Sequence, residues 1–251
     1  PEQLSNDVCS LRPGRLRRAM TVDMVVDPLG NVSHVKAYPS VICSAARLTY
    51  GQAQSSLSAS LRGDLEGAAD VLECLRGSLA SDVASDIVLL HEAAEALHEN
   101  RVKRGGIDFE SVEAKVALDE GGRPLGVDLR VKNDATSLVE EAMIAANEAV
   151  ARLLRDQGVA CIYRTHEQPA PADMAELKPV LQEFGYEKHV SLSALASGNP
   201  RAIQRVLSYA KGRREEYLVS MLMIRTMKRA AYQDRCAPHF GLASNAYAHF
   251  T

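Results

Sequence analysis

The sequence predicts an α+β fold. Two segments alternate apolar and polar residues about a tight turn, as antiparallel hairpins do. Long stretches between and after them repeat apolar residues every three or four positions, as helices do. The two patterns are grouped and not interleaved one for one, which argues against a regular βαβ series. Hydrophobic residues make up 46% and charged residues 24% of the 251, ordinary values for a globular chain. No internal repeat or low-complexity linker is present, so one compact unit is expected.

The elements follow in order. Ala19 to Val26 alternates, Asp27-Pro28-Leu29-Gly30-Asn31 turns, and Val32 to Ile42 resumes the extended pattern. Residues 62–99 predict helix. Leu65, Ala69, Leu72, Leu75 and Leu79 form one stripe, and Val83, Ile87, Leu90, Ala94 and Leu97 a second, with a break at Gly77-Ser78. Nine acidic and two basic residues make the outer face of this stretch acidic. Arg101-Val102-Lys103-Arg104-Gly105-Gly106 supplies the cations and glycines of a helix C-terminus. Val112 to Leu118 and Leu125 to Val131 flank the turn Asp119 to Pro124, a second hairpin. Ser137-Leu138-Val139-Glu140 fits a capping box, opening a helix that runs to about Asp156 and stops at Gly158. Val159 to Tyr163 predicts a short strand, and helices are expected at 171–184, 200–211 and 214–231.

Charge and composition exclude several function classes. With 29 basic and 32 acidic residues the net charge is −3, which rules out a uniformly basic coat for nucleic acid or membrane but not a local patch. No apolar run approaches the roughly 18 residues of a membrane helix. The first twenty residues carry six charges and no hydrophobic stretch, so no signal peptide is read there and a cytoplasmic protein is expected. The chain opens on Pro1 and closes on the apolar-aromatic Phe250-Thr251; a piece of a longer polypeptide is the expectation. Cys9, Cys43, Cys74, Cys161 and Cys236 are odd in number, widely spaced and without a CxxC, as free thiols or small buried hydrophobes are.

The common catalytic motifs are missing. There is no GxxxxGK[ST], no GxGxxG after a strand and no GxSxG. His91-Glu92-Ala93-Ala94-Glu95 falls short of a zincin because Glu95 stands where the second histidine belongs, and His91 and His98 read as surface or core residues. Positive charge is concentrated locally. Residues 201–229 hold eight basic and two acidic residues, Arg12, Arg15, Arg17 and Arg18 form a second cluster, and Arg101, Lys103 and Arg104 a third. Each alone is readable as a solvated helix face or cap; together they raise the prospect of a polyanion track.

Six blocks in fixed order carry a family resemblance. Leu4-Ser5-Asn6-Asp7-Val8-Cys9-Ser10-Leu11 resembles the "LS…LCSL" segment of the ribonuclease II / ribonuclease R family, whose catalytic unit is the RNB domain. Ala46-Arg47-Leu48-Thr49-Tyr50 is similar to its "A-[RK]-L-x-Y", and Arg104-Gly105-Gly106-Ile107-Asp108-Phe109-Glu110-Ser111 to the "RGGI-x-F-x" of the ribonuclease R branch. Leu138 to Asn147 resembles "[LI]-[IV]-EE-x-M-[IL]-x-AN". Tyr163-Arg164-Thr165-His166 with Pro169 resembles "[FY]-R-x-H-x-x-P". His239-Phe240-Gly241-Leu242 with Tyr247-Ala248-His249-Phe250-Thr251 resembles "HFGL…YAHFT".

The resemblance implies an RNB-like fold, with helices and antiparallel hairpins around an RNA channel. It implies processive 3′→5′ hydrolysis of single-stranded RNA to nucleoside 5′-monophosphates by a monomer without membrane attachment, using two divalent cations, usually Mg²⁺. The family's aspartate cluster, D-x5-D-x-D-D, precedes the LCSL segment, and its "SPIRRY" arginines follow the last block. Neither is in residues 1–251, which then correspond to a partial RNB domain, and no catalytic or metal residue is assigned within them. Three RNA-binding residues carry over. Tyr50 and Glu140 match the tyrosine and glutamate that contact ribose 2′-hydroxyls, and Phe109 matches the aromatic that stacks on the terminal base. Without the resemblance, the structural reading is the better one for each: Tyr50 as a helix-start aromatic, Glu140 as the capping partner of Ser137, and Phe109 as a core residue on a short strand. Arg104, His166, His239 and Tyr247 fall in matching blocks with no specific role; they line the channel or pack. Two rival readings are an RNB-like module that binds RNA without catalysis, and a helical interaction domain with no nucleic-acid role.

Overall fold

The computed structural model describes residues 2–72, 78–109, 113–119, 121–130 and 132–249. Helices dominate, and the strands among the described residues form two-stranded antiparallel sheets, the expected α+β class. The chain divides into two compact units where the sequence reads as one. The first is Pro1–Glu99 with Asn133–Val150, the second Asn100–Lys132 with Ala151–Thr251. No linker marks the division in the sequence because two long helices, α3 and α4 below, carry the chain from one unit into the other.

The first unit opens with a π-helical turn, Leu4–Val8, and the first hairpin, β1 (Leu16–Val26) and β2 (Val32–Cys43). The pairing runs from Leu16↔Cys43 to Val26↔Val32, with a bulge between Asp23 and Val25. The turn forms as read. The Asp27 carboxylate accepts from the backbone N–H groups of Leu29 and Asn31, both at 2.9 Å, and from Asn31 Nδ2 at 2.8 Å. These bonds, the Asn31 amide foremost, hold the Asp27 carboxyl below its ordinary pKa. No side chain of either strand is buried, and Leu16, Met20 and Val41 stand on the outward face.

Helix α1 (Tyr50–Leu61) starts at Tyr50, in keeping with the helix-start reading of that residue, but its course is not legible, because Tyr50-Gly51-Gln52-Ala53-Gln54-Ser55-Ser56 shows no apolar stripe. Thr49 and Gln52 start it with a reciprocal capping box. Helix α2 (Leu65–Asp70) is capped by Asp64, and α3 spans Ser78–Arg104. The second predicted stripe faces the core through Val83, Ile87 and Ala94, and the first through Ala69 and Leu72, but not at every position. Ala59, Ala68, Leu72, Ala80 and Ala84 pack together, whereas Leu65, Leu79 and Leu90 are exposed. Small methyl groups fill this interface, so the leucines one position round the helix face outward. The break at Gly77, with Cys74 and Leu75, lies outside the described residues.

Helix α4 (Asp134–Asp156) starts one turn before the predicted capping box. Its true cap is Asn133, whose Oδ1 accepts from Thr136 N–H at 2.9 Å while Asn133 N–H donates to Thr136 Oγ1 at 3.0 Å. Ser137 is inside the helix and Glu140 is not a capping residue. The C-terminus is as expected, with Gly158 at φ +67°.

In the second unit β3 (Glu113–Leu118) and β4 (Pro124–Arg130) form the second hairpin, its turn held by Asp119 Oδ1 accepting from Gly121 and Arg123 N–H groups. The predicted ends at Val112 and Val131 lie outside the described residues. The strand expected at 159–163 falls later, as β5 (Tyr163–Thr165), and pairs with β6 (Ala231–Gln233). The helix expected at 171–184 is two, α5 (Pro171–Ala175) and α6 (Lys178–Glu183). Pro179 lacks the N–H a continuous helix would need there. After α7 (Leu192–Ala196) come α8 (Pro200–Ala210) and α9 (Glu216–Thr226). Helix α9 stops short of residue 231 because Met227 is extended and leads the chain into β6. Met174, Leu195, Ile203, Val206, Val219 and Met223 centre the core of this unit. Among the described residues Cys9, Cys43, Cys161 and Cys236 are free thiols, and no helix is long and apolar enough to cross a membrane.

Candidate functional site

Tyr50 and Glu140 come from neighbouring helices of the first unit. Tyr50 is the first residue of α1, set by the Thr49 cap, and its ring is exposed. One turn on, Gln54 binds the start of α4. Its Nε2 donates to Asp134 Oδ2 at 3.0 Å, and its Oε1 accepts from Ala135 N–H at 3.0 Å. Beneath that clamp Leu57 packs with Ala135 and Leu138. Glu140 follows Leu138 on α4 and is half-buried. The next residue, Glu141, is 3% exposed and meets His98 Nδ1 of α3 at 3.0 Å. A half-buried pair thus locks the helix on one side of Glu140, and an apolar contact locks it on the other. Tyr50, at the first residue of α1, and Glu140, in the second turn of α4, therefore belong to a braced pair of helices.

Phe109 belongs to the second unit. It lies on no strand and packs, half-buried, against the large core. Its approach is over-determined. Helix α3 ends with Gly105 at φ +108°, and Gly106 N–H donates to Arg101 O at 2.9 Å. A Cβ on Gly106 would meet Arg101 Cγ at 2.7 Å, so only glycine lets the chain double back here. Gln204 of α8 donates to the Val102 and Gly106 carbonyls at 2.9 and 2.6 Å, and Ile107 N–H donates to Gly241 O at 2.8 Å.

Arg101 stands in the last turn of α3 as expected, but not in solvent. It is 2% exposed, and its guanidinium pairs with Asp108 at 2.8 Å. The signal was in the sequence: two glycines between Arg101 and an acid let the chain return across the helix end.

Three residues without an assigned role converge beside this turn. The rings of His166 and His239 meet edge to face at 5.1 Å, and Tyr247 lies 5.3 Å from His239. His166 Nε2 donates to Lys228 O at 2.8 Å, while its Nδ1 accepts from Gly241 N–H at 3.1 Å. His239 Nδ1 accepts from Leu242 N–H at 3.3 Å. A nitrogen that accepts from a backbone N–H carries no proton, so both rings are neutral. Burial lowers both pKa values. That of His239 falls to about 4, with His166 and Arg164 adding to the effect. All eight basic residues of 201–229 are exposed, so this segment is a positively charged surface. Among the described residues no group of three or more His, Cys, Asp or Glu side chains could hold a metal ion.

The RNB domain model matches residues 1–251. The chain belongs to the RNB domain family. This RNB chain is 38% identical over 252 residues to ribonuclease R of Thermotoga maritima and 36% identical over 251 residues to ribonuclease R of Aquifex aeolicus. Each alignment takes in all of the chain and 33% of the relative, so the RNB chain spans about a third of the length of these relatives. Among solved structures it superposes on ribonuclease R of Mycoplasma genitalium in complex with ribose-methylated single-stranded RNA. The TM-score is 0.81 at 28% identity, covering 100% of this chain and 36% of that one.

Proposed function

We propose that this RNB chain binds the 3′-terminal nucleotides of single-stranded RNA and serves a 3′→5′ exoribonuclease that releases nucleoside 5′-monophosphates. The observation that carries this reading is the braced presentation of Tyr50 and Glu140 in a chain similar over its whole length to ribonuclease R. A phenol both donates and accepts, and a carboxylate accepts, so together they suit the ribose 2′-hydroxyl that distinguishes RNA from DNA. Phe109 supplies a face on which any base stacks, as an enzyme indifferent to sequence requires. The exposed cations of 201–229 track phosphates. We carry the family's Mg²⁺ dependence as part of the proposal. The described residues do not fit a metal site, so its ligands are not placed among them and no chemical step is assigned to them. The proposed protein acts as a monomer in the cytoplasm, where its substrate is found.

The test is binding of one oligonucleotide sequence as RNA and as DNA. Tyr50→Phe with Glu140→Gln is expected to weaken RNA binding about tenfold, the worth of one or two hydrogen bonds, and to leave DNA binding unchanged. Equal loss on both, or loss on neither, removes the two residues from 2′-hydroxyl recognition.

A further inference from the structure

The β5–β6 ribbon has a thiol beyond the same end of each strand. Its register pairs Tyr163 with Gln233. Cys161 lies two residues before that rung and Cys236 three residues after it. Carried two residues past that rung, the register sets Cys161 opposite Arg235, so Cys236 is the next residue along from the facing position, close to Cys161 at the ribbon's end. Both thiols also meet one short segment. Cys161 packs against the cluster of Ala151, Tyr163, Ala246 and Ala248. Cys236 Sγ donates to the backbone oxygen of Asn245 at 3.6 Å. The two sulfurs lie within electrostatic reach of one another, and the Tyr163 hydroxyl is within reach of both.

Their surroundings differ. Cys236 is exposed, and the guanidinium of Arg155, already bound to Asp156 at 2.7 Å, faces its sulfur. A cation there steadies the negative charge that builds up as the sulfur attacks an electrophile. Cys161 is half-buried, and burial first, then Cys236, pushes its thiol pKa up.

We propose that Cys161 and Cys236 form a hydroperoxide-sensitive thiol pair, with the exposed Cys236 as the reacting thiol and the half-buried Cys161 as the resolving thiol. Cys236 sulfur attacks one peroxide oxygen. A sulfur–oxygen bond forms, the oxygen–oxygen bond breaks, and the departing hydroxide takes the thiol proton and leaves as water. Cys161 sulfur then attacks Cys236 sulfur. The disulfide forms, the sulfur–oxygen bond breaks, and a second water leaves with the Cys161 proton. Each sulfur loses one electron and the peroxide gains two. The bond would clip the open end of the ribbon beside Asn245 to Ala248.

The experiment treats the protein with a small molar excess of hydrogen peroxide, alkylates the remaining thiols and digests with trypsin without reductant. The expected product is peptide Asp156–Arg164 joined to the peptide that begins at Cys236, two hydrogens lighter than their sum and separated by dithiothreitol. Cys9 and Cys43 are expected to remain alkylated. Cys161→Ser should stop the reaction at a Cys236 sulfenic acid that dimedone traps, and Arg155→Gln should slow loss of the Cys236 thiol severalfold. The proposal fails if Cys236 oxidises without joining Cys161. It fails equally if either thiol joins Cys9 or Cys43 in comparable yield, or if Cys161 still oxidises first in Cys236→Ser.

Discussion

His166 and His239 are held neutral because backbone N–H groups are aimed at their Nδ1 atoms. That arrangement has a pH signature. An unfolded histidine titrates at its ordinary 6.5, whereas folded His239 does so at about 4. Between those values the unfolded chain binds the proton first. Stability from this residue is therefore whole above about pH 6.5 and drains away as pH falls toward 4. The melting temperature is expected to drop from pH 7 to pH 5, and His239→Gln should flatten that part of the profile; an unchanged profile would mean that other groups set it. Gly241 belongs to the same arrangement. A Cβ there would meet His166 Nδ1 at 3.0 Å. Gly241→Ala should cost about 1–2 kcal/mol in denaturant titration, since the packed ring must move. The sequence blocks brought these residues to notice but could not show their roles. A tautomer depends on which N–H faces which nitrogen, and that is a property of the folded loop. Arg101 stands in the last turn of α3 as expected, but its burial is not legible for the same reason, because a cation at a helix end looks alike in sequence whether it points to water or folds back onto an acid.

At the scale of elements, turn chemistry was the most legible signal. Asp27 to Asn31, Asp119 to Pro124 and Gly158 each do what their side chains or lack of one require, so both hairpins and the end of α4 fall where expected. Helix starts were less legible. Ser137 with Glu140 and Asn133 with Thr136 are both sound capping pairs, and the sequence alone cannot rank them. The structure chooses Asn133, so Asn133→Ala should cost about 1 kcal/mol of stability in denaturant titration while Ser137→Ala stays within a few tenths. Equal effects would contradict the assigned start of α4. The course of helix α1 beyond Tyr50 is not legible because serine, glutamine and glycine carry no periodicity. What holds it is tertiary: the Gln54 clamp, and Ser56 Oγ donating to Ala68 O at 2.9 Å. The same clamp sets Tyr50 near the start of α4. That part of the candidate site was therefore readable only by resemblance, since nothing in the spacing of Tyr50 and Glu140 links them.

Across the whole molecule the charge is unevenly divided. Residues 62–99 carry an acidic excess, and residues 201–229 are basic, their cations all exposed. If the basic segment tracks phosphates, RNA affinity must fall as salt rises. Arg201→Ala or Arg205→Ala should each reduce the slope of log affinity on log salt by about 1, whatever the oligonucleotide sequence. A slope that does not move would remove α8 from the phosphate track. Phe109→Ala should instead weaken binding by about 1–3 kcal/mol with the slope intact, because stacking releases no counterions. One further trait follows from the hairpin of β1 and β2, whose side chains are at most half-buried. Two strands with no fully buried side chain, tied to the preceding turn through Arg17, depend mainly on their own ladder. On warming, the ladder amides of this arm should trade hydrogen for deuterium well ahead of those in α8, where Ile203 and Val206 are sealed from solvent. The molecule would thus loosen at its longest strands first, while its helices still kept their shape.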